Sequence, residues 1–260
     1  MTARHPAALD VGRLLGLTRR RSDGMKKYRF EKGADVAADI REKYAYDGEL
    51  LAIYSGNEGP EVHKWHHYIP LYERYFAPFR GTGVRFLEIG VAKGGSLQMW
   101  RRWLGGDAVI FGIDVNPDCA RFDGQAGQVR IGSQTDTAFL DSVVDEMGGL
   151  DLVLDDGSHR MGDVRKSFEH LFPKLAPGGV YMIEDLHTAY WPKFGGGYGA
   201  RANFFRYMAK VADDMHHWYH DRGERREGLG AQVSGMHIHD SIAVFEKGPV
   251  HRPVHSRVGA

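Results

Sequence analysis

Short apolar runs alternate with longer amphipathic stretches along most of this chain. VRFLEIG (residues 84–90) is a strand-like run that ends at glycine, and GSLQMWRRWL (95–104) follows with helical spacing. AVIFGIDV (108–115) and the shorter GQVRIG (127–132) read as the second and third strands. TDTAFLDSVVDEM (135–147) reads as a helix with Thr135 as its N-cap. LDLVLDD (150–156) is the fourth strand, MGDVRKSFEHLFPKL (161–175) a helix stopped by Ala-Pro-Gly-Gly, and VYMIED (180–185) the fifth strand. This alternation predicts a parallel sheet covered on both faces.

The two ends of the chain read differently. ANFFRYMAKVADDMHHWYH (202–220) is helical, and QVSGMHIHDSIAVFEKG (232–248) is a pair of strands with a tight turn near His239 and Asp240, so the sheet closes with an antiparallel hairpin. DVAADIREKY (35–44) and HHYIPLYERYFAPF (66–79) have apolar residues at helical spacing. The expected organisation is a helical arm and cap over the sheet edge (1–80), a sheet domain (81–248) and a tail (249–260). DVGRLLGL (10–17) reads as a short packing or dimerisation helix, with residues 1–25 and 249–260 poorly ordered.

Composition narrows the function classes. With 260 residues, 42% of them apolar, the chain has the material for one large domain with a real core. Lys+Arg and Asp+Glu are both 34, which gives no support to a general nucleic-acid or acidic-membrane binder. Cys119 is the single cysteine, so no internal disulfide or cysteine-cluster metal site is expected, and a reducing, cytoplasmic setting suits it. No segment approaches the ~20 apolar residues of a membrane span. No apolar run follows Arg19, Arg20 and Arg21, so no secretion signal is expected.

In an open parallel sheet, ligands bind beyond the carboxyl ends of the strands. The first strand ends in Glu88, Gly90 and a glycine-rich turn to Ser96, where the backbone can approach a ligand and a helix offers free N–H groups. The string is not G-x-G-x-x-G, which lowers a dinucleotide reading. Asp114 ends the second strand, placed for a ribose diol, and Ser133 and Gln134 follow the third, placed for an adenine edge. Lys64, His67 and Tyr68 are candidates for lining the same cofactor pocket.

Two acidic pairs end adjacent strands, Asp155 with Asp156 and Glu184 with Asp185. Neighbouring strands lie about 4.8 Å apart, so these carboxylates repel one another unless protons or a cation compensate. A hard divalent cation with oxygen ligands, Mg²⁺ above others, meets that need; helix capping and loop-amide binding are the bland alternative. Asp156, Glu184 and Asp185 are the metal candidates, and Asp155 is assigned to the cofactor side. His159, three residues past Asp156, reads as a general base, with a fourth metal ligand or a helix cap as alternatives. Tyr190 and Trp191, before the glycines 195–197, suit a lid that stacks on a substrate ring, or core packing in the case of Trp191. MHHWYH (215–220), His237 and His239 look metal-like only by composition and are read as bystanders.

Residues 84–247 resemble the class I S-adenosylmethionine (SAM) methyltransferases, a Rossmann-like fold whose seven-stranded, mostly parallel sheet ends in an antiparallel hairpin. The cation-dependent branch that includes catechol O-methyltransferase places metal ligands after strands four and five, with the base three residues past the first. Asp156, His159, Glu184 and Asp185 fit that layout, with histidine where the catechol enzyme has lysine. LDDGSH (154–159), LFPKLAPGGVYMIED (171–185), HTAYWPKFGGG (187–197) and HKWHHYIPLYERYF (63–76) are similar to bacterial glycoside O-methyltransferases. That group includes macrolide-sugar 2''-O-methyltransferases such as the mycinamicin VI enzyme, rhamnosyl methyltransferases and the methylmannose polysaccharide 1-O-methyltransferase. The resemblance implies Mg²⁺-dependent methyl transfer from SAM to a hydroxyl of a small glycoside or oligosaccharide. It also implies substrate contacts at Thr188, Tyr190 and Trp191 and a homo-oligomer, dimer ahead of tetramer. A catechol or phenolic acceptor, a dinucleotide-dependent oxidoreductase and a non-catalytic nucleotide-binding module are the alternatives.

Overall fold

Each apolar run becomes a strand in a computed structural model of the protein, which describes residues 27–220, 228–249 and 251–259. The strands are β1 (Arg85–Ile89), β2 (Val109–Asp114), β3 (Gln128–Ile131), β4 (Leu150–Asp155), β5 (Leu175–Ile183), β6 (Val233–His239) and β7 (Ile242–Lys247). They form one sheet in the order β3-β2-β1-β4-β5-β7-β6. The first five run parallel; β7 pairs antiparallel with both β5 and β6. The chain winds outward from β1 to β3 and then restarts at β4 on the other side of β1, so the connections after β1 and β4 leave in opposite directions. A crevice opens at their carboxyl ends.

The α-helices among the described residues are α1 (Val36–Tyr44), α2 (Glu49–Ser55), α3 (Tyr68–Phe76), α4 (Gly95–Leu104), α5 (Thr137–Met147), α6 (Met161–Leu171) and α7 (Phe204–Met215). Strand side chains alternate between the two faces. Phe86, Leu152, Leu154, Met182 and Val244 face one core with Ile40, Leu50, Tyr72 and Trp100. Leu87, Val153, Tyr181 and Phe245 face the other with Leu140, Phe168 and Met208. The N-terminal helices therefore lie on a face of the sheet beside α4, not over its edge as expected. Helical periodicity marks an apolar stripe but not which surface it meets. The chain divides into two compact units, Met1–Asp35 and Val36–Ala260. Of the first, only residues 27–35 are described, and they hold no α-helix or strand. The amphipathic stretch 10–17 and the rest of residues 1–25 lie outside the described residues.

Local signals explain the boundaries. The cap of α5 is Asp136, whose carboxylate accepts from the amides of Ala138 and Phe139 at 3.1 Å each, while Thr135 pairs with Ser133. An ionised carboxylate next to free N–H groups wins over a hydroxyl one residue earlier. Helix α6 stops at Leu171, short of the expected 175, because Pro173 opens a 3-10 turn and has no N–H to continue the ladder. Strand β5 then starts at Leu175 and takes in the Ala-Pro-Gly-Gly segment, with a register shift against β4. The ring of Phe168 is fully buried, 4.3 Å from that of Phe245 and 5.2 Å from that of Tyr181. Phe168→Ala should lower unfolding stability by about 3–5 kcal/mol, read as a fall in the urea midpoint at unchanged slope.

Candidate functional site

The two-residue alternation of the strands continues through their acidic ends. From Phe86 in β1, Leu152 in β4 and Val180 in β5 onward, even-numbered positions face α3 and α4, and odd-numbered positions face α6. Glu88 is even and points into the first core: it is fully buried and accepts from Ser96 Oγ at 2.8 Å and Trp100 Nε1 at 3.2 Å, both on α4. Burial pushes its carboxyl up to about 7. Asp155 is odd and points into the second core, 1% exposed, held by Ser167 Oγ at 2.7 Å and Tyr181 OH at 3.0 Å. Its pKa is raised, again chiefly by burial. Neither lines the cleft at the carboxyl ends of the strands, so the cofactor contacts expected of both are corrected: they brace the loops from beneath.

That cleft has a volume of about 510 Å³. One end is built from the turn after β1 and the tip of β2. Gly90 has φ +100°, and a Cβ there would lie 2.2 Å from the Asp156 carbonyl oxygen, so only glycine lets the two loops cross. Asp114 reaches back to this turn, accepting from the amides of Val91 and Ala92 at 3.0 Å and of Asn116 at 2.8 Å. Partial burial raises its pKa, but these amides outweigh burial and hold it below the usual range. Ser96, Ser133 and Gln134 also line the cleft. Gln134 is already committed at both ends, Oε1 to the Ser158 amide at 2.7 Å and Nε2 to Asp155 at 3.2 Å.

The other end holds the acids that follow β4 and β5. Asp156, His159 and Asp185 each offer a donor atom within 4.8 Å of one another. His159 Nε2 is 3.8 Å from Asp156 Oδ1 and 3.7 Å from Asp185 Oδ2. Glu184 is even-numbered and turns toward α3, where Tyr72 OH donates to it at 2.5 Å and Lys64 Nζ lies 3.0 Å from both its oxygens. The triplet of converging donors is thus two carboxylates and an imidazole, with the expected third carboxylate drawn aside. Burial, and then the charge of Asp156, push Glu184 well above the usual carboxylate range.

His159 and Asp185 both adopt left-handed backbone conformations, φ +55° and +57°. Such conformations cost energy in non-glycine residues and persist only when the surroundings enforce them. Thr188 supplies the brace: its hydroxyl lies 2.6 Å from the carbonyl oxygen of Asp185 and 3.2 Å from that of His159. With 2% of its surface exposed, Thr188 is a tie between two loops, not the substrate contact expected of it.

Lys64 lines the cleft, with its ammonium bound to Asp156 at 2.6 Å and to Glu184. Two further expectations are corrected. His67 faces away from the cleft, its Nε2 3.1 Å from the Asp240 carbonyl oxygen and its ring against Tyr68. Tyr190 stacks on Phe205, and Trp191 packs against His187 and Phe194; neither lines the cleft. Of the late histidines, His217 Nδ1 lies 3.0 Å from the Asp214 carbonyl oxygen and His239 Nε2 2.8 Å from Tyr75 OH. Residues 61–65, by contrast, form a wall of the cleft. Trp65 Nε1 and Tyr68 OH donate to Asp185 Oδ1 at 3.1 and 2.8 Å. Only the four-residue spacing of Tyr68 and Tyr72, two hydroxyls on an apolar helix face, signals this contact in the sequence.

A family profile described as a methyltransferase domain matches residues 87–186. The chain carries a class I methyltransferase domain. Its strand order and terminal hairpin are those expected of that fold. The domain is 36% identical over 224 residues to 8-demethyl-8-alpha-L-rhamnosyl tetracenomycin-C 2'-O-methyltransferase of Streptomyces olivaceus, covering 82% of this chain and 57% of that protein. It is 35% identical over 212 residues to mycinamicin VI 2''-O-methyltransferase of Micromonospora griseorubida, covering 77% and 53%. Among solved structures, the MycE methyltransferase of the mycinamycin biosynthetic pathway, in complex with Mg and SAH, matches with a TM-score of 0.70 and 33% identity, over 78% of this chain and 55% of that one. The chain thus spans about half the length of these relatives. Nothing in these matches supports the dinucleotide-dependent oxidoreductase alternative.

The buried Glu88 gives the methyltransferase domain a specific pH dependence. Its folded pKa, about 7, lies above the ordinary 4.5. Between these values the folded state holds a proton that the unfolded state has released. The stability this group contributes is present below about pH 4.5 and is lost as pH rises through about 7. Subtracting the Glu88→Gln curve from the wild-type unfolding free energy between pH 4.5 and 8 should leave a falling curve that flattens above pH 7.

Proposed function

We propose that this domain transfers a methyl group from SAM to a hydroxyl of a sugar or glycoside, assisted by Mg²⁺ or a similar divalent cation. The observation that carries the reading is the convergence of Asp156, Asp185 and His159 at one end of a cleft whose other end is built from Asp114 and the glycine turn. The relatives named above, sugar O-methyltransferases among them, support the same substrate class. The donor set suits a hard cation: Asp156 and Asp185 supply charged oxygens, and Glu184 is a third on the same loop. When bound, the cation supplies Lewis-acid polarisation of the acceptor hydroxyl, and the sulfonium supplies the methyl group.

The chain's own groups do the rest. Asp114 is available to the ribose hydroxyls, with Ser133 and Gln134 beside the base and Gly90 and Ser96 beside the amino-acid portion. His159 Nε2 is placed to take the acceptor proton; SAM, when bound, would give its methyl group to the acceptor oxygen, its S–CH3 bond breaking to leave the thioether. The tie through Thr188 keeps His159 and Asp185 in register during that transfer. Catalysis is then mostly positioning plus deprotonation. A second reading makes His159 a cation ligand, favoured by its Nε2 lying in the same triplet as the two carboxylates. We also assign the reaction to the cytoplasm and the chain to a homo-oligomer, dimer ahead of tetramer. The buried, unpaired Cys119 supports the first and the amphipathic stretch 10–17 the second. Among the described residues, no helix is long and apolar enough to cross a membrane.

Chelation with EDTA should abolish methyl transfer to a rhamnoside or macrolide glycoside, and added Mg²⁺ should restore it. Full activity after exhaustive chelation would remove the cation from the mechanism, and a clear preference for catechol over glycoside would replace the acceptor class. His159→Ala should lower kcat by about 10²–10⁴-fold with SAM affinity intact by calorimetry. A parallel loss of Mg²⁺ affinity would select the ligand role instead.

A further inference from the structure

Lys64 is the one cation in the acidic cluster among the described residues, and the proposed reaction gives it no task. Its side chain is 2% exposed, with Nζ 2.6 Å from Asp156 Oδ2, 3.0 Å from Glu184 and 3.9 Å from Glu88. Stripping water from a lysine is costly, and a buried ion pair often adds no net stability. The position therefore calls for an explanation other than holding the fold together. Two features supply one. Asp156 gives Oδ2 to Lys64 and turns Oδ1 toward His159, so the ammonium fixes how this carboxylate is presented to the triplet. In formal charge, the two carboxylates of the triplet, Asp156 and Asp185, carry two negative charges, the complement of one divalent cation, and Lys64 already occupies part of that charge.

We propose that Lys64 is the resident counter-cation of this cluster. It holds the carboxylates together while no metal is bound, and it sets the affinity for a divalent cation by occupying part of their charge. The inference rests on reading the cluster as a cation site. It separates Lys64 from an ion pair that only holds the fold together, whose removal lowers stability equally with and without Mn²⁺. It also separates it from a cofactor clamp, whose removal weakens SAM binding.

The test uses the full chain and Mn²⁺ as the probe, with affinity read by electron paramagnetic resonance or calorimetry in the absence of SAM. Lys64→Met removes the charge and keeps the length; Lys64→Arg keeps the charge. Lys64→Met should bind Mn²⁺ at least about tenfold more tightly than wild type, since an ammonium a few ångströms from a bound cation repels it strongly at an effective dielectric near 20. Its Tm without metal should be lower and its gain on Mn²⁺ addition larger, while Lys64→Arg stays close to wild type. A variant that folds only when Mn²⁺ is present supports the proposal, because the metal then replaces the ammonium. Unchanged or weaker Mn²⁺ binding by Lys64→Met overturns it, as does a variant that stays unfolded at saturating Mn²⁺. A fall in SAM affinity with unchanged Mn²⁺ affinity also overturns it, in favour of the clamp. Wild type and variants that all fail to bind Mn²⁺ at millimolar concentration would sink the cation reading itself.

Discussion

Lys64 Nζ sits between Asp156 and Glu184, at 2.6 and 3.0 Å, at the place where β1, β4 and β5 deliver their acidic ends. Like charges this close are intolerable in a poorly solvated crevice without compensation. Much of the surrounding structure supplies it. The segment before α3 brings the ammonium and the Trp65 indole, and α3 brings two tyrosine hydroxyls. Helix α4 contributes Ser96 and Trp100 to Glu88, and α6 contributes Ser167 to Asp155. Helices on both faces thus donate hydrogen bonds to the acidic ends of the sheet, which explains why an N-terminal segment outside the matched residues 87–186 packs so closely against the site.

The strands were legible because buried parallel strands are continuous apolar runs bounded by turns, and the hairpin because a break near His239 and Asp240 separates two strand-like segments. Helix boundaries and caps were less so: Asp136 and Thr135 compete for one cap, and Pro173 acts two residues past the point where α6 stops. The acids themselves were legible as a cluster, but their division of labour was not. A run such as Leu154-Asp155-Asp156 does not say which carboxylate is swallowed by the core until the faces of the sheet are known. Alternation of faces along β1 and β4 then sends Glu88 into one core and Asp155 into the other. The role of residues 61–65 was the least accessible, because an irregular segment reaching the site by long-range packing leaves no periodicity to read.

Backbone geometry at His159 and Asp185 adds a second constraint. Two non-glycine residues in left-handed conformations face each other across the cluster, and one buried hydroxyl spans their carbonyls. Flexible loops would let the carboxylates swing apart to relieve repulsion. Rigid, strained ones keep them within reach of a common ligand. The position of Thr188 in a 3-10 turn directly after β5 makes that tie a local consequence of how the strand ends.

The turn between β6 and β7 reaches into the same region. Ser241 offers its carbonyl oxygen to the Leu186 amide at 2.9 Å, and its hydroxyl lies 2.9 Å from Tyr68 OH and 2.7 Å from His187 Nδ1. The ribosome delivers every acid of the cluster, and the lysine and tyrosines that balance them, before it makes this clamp. A nascent chain that has emerged only as far as β5 has β5 as an open sheet edge, and the loop bearing Asp185 lacks its tether. The site is therefore complete only once β7 has paired between β5 and β6. A chain truncated between β5 and β7 would hold all the acids of the site but lack the clamp on the loop that bears Asp185.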